Sequence, residues 1–152
     1  MMILLGSDHG GLALKESIKS LLEERGIEFE DCGTYSTDSV DYPDFGEKVA
    51  RRVSNGEAEK GILFCGTGIG MSIIANKFIG VRAALATDLF TAQMAKEHNN
   101  ANILVLGGRV LPEELARSMV AIWLDSPFDG GRHQKRLDKI SQIEHELRRN
   151  NS

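Results

Sequence analysis

Gly61-Ile62-Leu63-Phe64-Cys65-Gly66-Thr67-Gly68-Ile69-Gly70-Met71 is an apolar run that breaks abruptly into alternating glycines. Residues 61–65 are too short for a helix and read as a buried strand, and a helix is expected over 71–77. Strand, glycine-rich turn and helix in succession form the repeating unit of a parallel α/β sheet. The same alternation continues outward in both directions. Upstream lie a strand at 2–6, a helix bearing Leu12, Leu14, Ile18, Leu21 and Leu22 and closed by Gly26, and a strand at 27–32. After a loop at 33–41, Asp41-Tyr42-Pro43-Asp44 opens a helix that Asn55-Gly56 ends; proline suits a first helical turn. Downstream come a strand at 81–85, a helix at 89–97 capped by Thr87-Asp88, a polar loop at 98–102 and a strand at 103–107. Leu111-Pro112 then starts a helix running to about 124. Beyond the break at 126–131, a last helix at about 132–149 carries Leu137, Ile140, Ile143 and Leu147 on one stripe. Five strands in this pattern predict an α/β fold whose parallel sheet is covered on both faces. The last helix is extra, and its apolar stripe needs a surface, which we expect to be a partner subunit.

Composition narrows the class. The 152 residues fit one domain, 1–152, large enough to bury a core without staples. No apolar run reaches the ~20 residues of a membrane span, and the N-terminus lacks the basic region of an export signal. Cys32 and Cys65 are the two cysteines, too few for a disulfide framework, so the cytoplasm is the expected location. A net charge of −4 gives no general attraction to nucleic acid. The charge is uneven: from residue 131 onward six Lys and Arg face three acids, and the remainder has 12 against 19. The 16 glycines exceed the usual share of about 7% and hint at close backbone approach to a ligand.

Ligands of open parallel sheets bind beyond the carboxyl ends of the strands. The polar residues there are Ser7-Asp8-His9, Cys65-Gly66-Thr67-Gly68, Thr87-Asp88 and Gly107-Gly108-Arg109. Gly66, Gly68 and Gly70 either free backbone amides to face an anion or simply make a tight turn. A dinucleotide fingerprint would need glycine where Met71 stands, and a Cys-x5-Arg phosphatase loop would need arginine there. Cys65 is either a small buried hydrophobe or a thiolate favoured by a helix start, able to act as base or nucleophile. Asp8, His9 and His98 offer acid–base chemistry near neutrality, or are ordinary polar groups. A metal held by Asp8, His9 and His98 is not favoured, because no His-x3-His type of spacing occurs. Arg132 and Arg136, one helical turn apart, could clamp a phosphate together with Arg109, or be plain surface charge.

Six motifs occur in a fixed order: Ser7-Asp8-His9-Gly10-Gly11, Val40-Asp41-Tyr42-Pro43-Asp44, Cys65-Gly66-Thr67-Gly68-Ile69-Gly70-Met71-Ser72, Ala75-Asn76-Lys77, Glu97-His98-Asn99-Asn100-Ala101-Asn102 and Gly130-Gly131-Arg132-His133. With them the whole chain resembles the type B ribose-5-phosphate isomerases, in the superfamily that includes galactose-6-phosphate isomerase subunits. The resemblance implies a Rossmann-like three-layer sandwich and a homodimer, or dimer of dimers, with shared active sites. It also implies a reaction of the pentose phosphate pathway, ribose 5-phosphate to and from ribulose 5-phosphate, without metal or cofactor. Carried over by position, Cys65 is the base that moves the proton, Thr67 assists it, and Asp8 and His98 open the sugar ring. Asn99 and the amides of Gly66, Gly68 and Gly70 hold the enediolate, and Tyr42 lines the sugar site. His9, Arg132 and Arg136, with Arg109, grip the phosphate. Cys65 together with Met71 marks the branch in which cysteine rather than glutamate is the base. Asp88 departs from the pattern and has no expected role in the reaction. A six-carbon substrate such as allose or galactose 6-phosphate, or a non-catalytic sugar-phosphate binding module, are the competing readings.

Overall fold

The computed structural model describes residues 1–150. Its strands are β1 (Met2–Ser7), β2 (Glu28–Asp31), β3 (Lys60–Cys65), β4 (Ala83–Leu85) and β5 (Ile103–Gly107). Its helices are α1 (Leu12–Glu24), α2 (Tyr42–Ser54), α3 (Ile69–Ala75), α4 (Leu89–Glu97), α5 (Glu113–Asp125) and α6 (Arg132–Asn150). A 3-10 turn at His9–Gly11 leads from β1 into α1. The strands form one all-parallel sheet in the order β2-β1-β3-β5-β4.

Period-two alternation along the strands builds two cores. Ile3, Leu5, Ile62, Phe64, Leu104 and Leu106 face α1, α4 and α5, where Ile18, Ala92 and Trp123 meet them. Leu4, Leu63, Cys65, Ile103 and Val105 face α2 and α3, against Val49, Met71 and Ala75. Helices therefore cover both faces, giving the expected three layers. Among the described residues no helix is long and apolar enough to cross a membrane.

The elements differ from the expected ones at a few ends, for local reasons. β4 begins at Ala83 rather than 81, because side chains take the backbone groups that would start the strand. Asn102 Oδ1 accepts from the Arg82 amide, and Asn76 Oδ1 accepts from the Ala83 amide. α3 starts at Ile69 rather than 71: Gly68 makes the turn at φ 85°, and the Ser72 amide already bonds the Gly68 carbonyl. It stops at Ala75 because the Asn76 side chain turns back to donate to the Ser72 carbonyl.

α6 is set apart from the sandwich. Its first turns bury His133 and Leu137, and Glu144 accepts from the Gly80 amide. The rest of its stripe is open, with Ile140, Ile143 and Leu147 being 56%, 56% and 59% exposed.

The ends of β1, β3 and β5 approach without intervening side chains. A Cβ on Gly11 would lie 2.5 Å from the Phe64 carbonyl carbon, and one on Gly108 would lie 2.7 Å from the Gly10 oxygen. Backbone cannot yield as a flexible side chain does, so Gly11→Ala should destabilise the fold by about 1–3 kcal/mol, the usual range for overpacking. Urea unfolding measures this, and a variant as stable as the parent would contradict the packing described.

Candidate active site

Three strand ends meet in one cleft. Asp8 follows β1, and its Oδ1 accepts from the Gly11 amide at 3.0 Å, capping the 3-10 turn. Cys65 closes β3, buried on the α2–α3 face, with Sγ accepting from the Gly68 amide at 3.1 Å. Thr67 Oγ1 accepts from the Ile69 amide at 3.2 Å. After β5, the Gly108 and Arg109 amides donate to the carbonyls of Cys65 and Gly66 at 2.8 and 2.9 Å. That pairing lays the Arg109 side chain over Gly66, where a Cβ would sit 3.2 Å from a guanidinium nitrogen. Tyr42, at the start of α2, packs its ring on Gly70, a place with no room for a methyl group. Asp8, Tyr42, Cys65, Gly66, Thr67, Gly70 and Arg109 line a cleft of about 220 Å³. His9 stands beside it on the 3-10 turn, and its Nδ1 accepts from the Val40 amide at 3.2 Å. This bond ties loop 33–41 to the cleft and leaves Nε2 as the donor nitrogen. A carboxylate, a thiol, a hydroxyl and a guanidinium thus surround a space sized for a small polar anion.

His98, Asn99, Arg132 and Arg136 do not join this cleft within the chain. α4 starts after the carboxyl end of β4 and runs back to the amino end of β5. Its nine residues span about 14 Å, so its C-cap His98 lies at the opposite edge of the sheet. Asn99 lies there too, in a groove of about 260 Å³ with Asn76, Arg82, Leu137 and Ile140. α5 also descends to this edge, so α6 begins there with Arg132 and Arg136. The His98 ring stacks on His133, centroids 4.0 Å apart and planes 13° apart. Burial, foremost, and the neighbouring His98, Arg132 and Arg136 push His133 below the usual histidine range, against the pull of Asp129.

A metal shared by Asp8, His9 and His98 is therefore ruled out within one chain by the length of the sheet. Instead His98, Asp129 and His133 bring one ligand atom each within 4.8 Å of one another, a set able to hold a divalent cation. His133 carried a signal in the Gly130-Gly131-Arg132-His133 motif; Asp129 carried none, since a main-chain bond from its amide to the Glu97 carbonyl places it. A larger hollow of about 690 Å³ lies between β2 and α2, away from all of these groups. Both of its arginines are paired, Arg52 with Glu30 and Glu57, and Arg51 with Glu47.

The model of the ribose/galactose isomerase family matches residues 3–140. The ribose-5-phosphate isomerase B of Escherichia coli is 47% identical over 142 residues, covering 93% of this chain and 95% of its own. The structure of ribose-5-phosphate isomerase B from Clostridium thermocellum is similar with a TM-score of 0.94 at 52% identity, over 97% of this chain and 99% of that one. That of Mycoplasma genitalium ribose-5-phosphate isomerase B with bound ribulose-5-phosphate has a TM-score of 0.92 at 42% identity, over 95% and 97%. The chain belongs to the ribose/galactose isomerase family.

Asp88 finds its role in the helix, not in the cleft. Its Oδ1 accepts from the Thr91 amide at 2.7 Å and the Thr91 hydroxyl at 2.8 Å, while the Thr91 hydroxyl accepts from the Asp88 amide, a reciprocal capping box for α4. The Thr91 backbone bond, then its hydroxyl, hold the Asp88 carboxyl below its ordinary pKa. A lowered folded-state pKa stabilises above the unfolded value and is lost as pH falls through the folded value. Asp88→Ala should therefore melt below the parent at pH 7, with the gap closing once the pH drops below about 4. Thermal melts across pH test this, and a gap unchanged at low pH would show that the carboxylate is not the cap.

Proposed function

We propose that the chain is an aldose–ketose isomerase of phosphorylated sugars, with ribose 5-phosphate and ribulose 5-phosphate as its pair. The observation that carries this is Cys65 in one cleft with Asp8, Thr67 and Arg109, in a chain whose relatives over nearly its full length include ribose-5-phosphate isomerases B. The protein works as a homodimer, alone or as a dimer of dimers, in the cytoplasm, with residues 1–152 as one unit and α6 packed on the partner. The open stripe of Ile140, Ile143 and Leu147 supports that packing. The division of site groups between opposite edges of the sheet supports a shared site, since a second copy can bring its His98, Asn99, Arg132 and Arg136 to the cleft.

The reaction needs four things of such a site. Asp8 and His98 exchange protons with the ring oxygen and the anomeric hydroxyl, freeing the aldehyde. The Cys65 thiolate then takes the C2 proton; the C–H electrons form the C1–C2 double bond and the carbonyl pair moves to O1. Thr67, Asn99 and the amides of the Gly66–Gly70 turn hold the enediolate through hydrogen bonds aimed at its oxygens. The thiol returns the proton to C1 as the O2–H electrons form the C2 carbonyl, and the O2 proton passes to O1, giving the ketone at C2 and a hydroxyl at C1. Arg109, His9 and the arginines of α6 grip the phosphate, which fixes C1 and C2 against the sulfur. Tyr42 bounds the sugar.

The test is a panel of ribose 5-phosphate, allose 6-phosphate and galactose 6-phosphate, followed by ketose formation. Ribose 5-phosphate should have the highest kcat/KM. Cys65→Ala should lose about 10²–10⁴-fold in kcat and in exchange of the C2 proton with solvent, while still binding substrate. Preference for a six-carbon phosphate would move the substrate, binding without proton exchange would leave only a binding module, and a fully active Cys65→Ala would overturn the base.

A further inference from the structure

At the amino edge of the sheet, on the other side of Arg82 and Ala101 from the groove that holds Asn99, is a polar recess of about 380 Å³. Lys60, at the start of β3, Lys96, at the end of α4, and Arg82, just before β4, converge on it. Among the described residues none of the three has a carboxylate within ion-pairing distance. Arg82 is spent on carbonyls, its Nε donating to Asn100 at 2.9 Å and a terminal nitrogen to Gly80 at 3.3 Å. Lys60 reaches only the Met1 sulfur, and Lys96 lies 5.8 Å from the centre of the Trp123 ring. Glu59 is the single acid in the lining, and Glu144 acts on Arg82 only at longer range. The two lysines are near enough to repel: burial, then the Lys60 charge, lower the Lys96 pKa.

Three half-buried cations drawn together without acids to match them is an arrangement that costs free energy unless an anion joins it. The rotatable ammonium donors of Lys60 and Lys96, with the Arg82 charge beside them, fit the oxygens of a phosphate group. We propose that this recess is a second anion site, binding the phosphate group of a small phosphorylated molecule or free phosphate, apart from the cleft at Cys65. Lys96 stands two residues before His98, and Asn100 directly after Asn99, so the bound anion would rest under the segment 98–102.

Calorimetric titration with inorganic phosphate, and separately with glycerol 3-phosphate, tests the proposal. The parent protein should take up two anions per chain, one in the cleft and one in the recess; whichever probe binds the recess more tightly identifies free phosphate or a phosphate ester as the fitting source. Lys60→Gln with Lys96→Gln should lose one of the two, with sugar-phosphate turnover in phosphate-free buffer unchanged, which separates this site from the proposed activity. Should the double variant not fold, Lys60→Gln alone should weaken that site about tenfold, the effect of one charged hydrogen bond. One anion per chain in the parent, or the same two in the lysine variants, would overturn the proposal.

Discussion

The seam where the ends of β1, β3 and β5 touch backbone to backbone is the contact on which the rest of the site depends. Gly11 lies against Phe64, Gly107 against Thr67 and Gly108 against Gly10, each too close to admit a Cβ. Hydrogen bonds from Gly108 to Cys65 and from Arg109 to Gly66 lock the same seam. Side chains there would hold the strand ends several ångströms apart. Without them, Asp8, Cys65 and Arg109, supplied by three different strands, face one small volume.

Topology then divides the remaining groups. β4 and β5 are parallel, so the chain after β4 must return along α4 before entering β5 from the amino edge. That return carries His98 and Asn99 away from Cys65, and α5 does the same for Arg132 and Arg136. The chain thus presents Asp8, Cys65, Thr67 and Arg109 at one edge and His98, Asn99, Arg132 and Arg136 at the other. Under the proposed function, joining them falls to two copies, and α6 offers an open apolar stripe beside the second half.

Much of this was legible in the amino-acid sequence because the signals are local. Apolar runs of strand length, the Gly26 stop, Pro43 in a first turn and the Thr87-Asp88 cap each act within a few residues, and α4 and β5 fall at their expected bounds. Strand-end positions likewise pointed to Asp8, Cys65 and Arg109. Asp88, which departs from the site motif, belongs with the local signals, since it caps α4 through Thr91 three residues on. The rest depends on contacts between distant residues. The start of β4 is set by Asn76 and Asn102, which no periodicity reports. The stack of His98 on His133, with Asp129 beside it, joins the end of α4 to the start of α6 across 35 residues of sequence. The separation of the two halves follows from the parallel sense of the strands, because each helix must carry the chain back to the amino edge.

A site shared between two copies can be tested with mixed dimers. Chains carrying Cys65→Ala and chains carrying His98→Asn should each be inactive alone. Unfolded together and refolded at equal amounts, half of the dimers would pair one of each, and in these one of the two sites would be free of both substitutions. About a quarter of the parent activity should return, as expected for a two-fold dimer with random pairing. A mixture no more active than its components, although mixed dimers are shown to have formed, would contradict it.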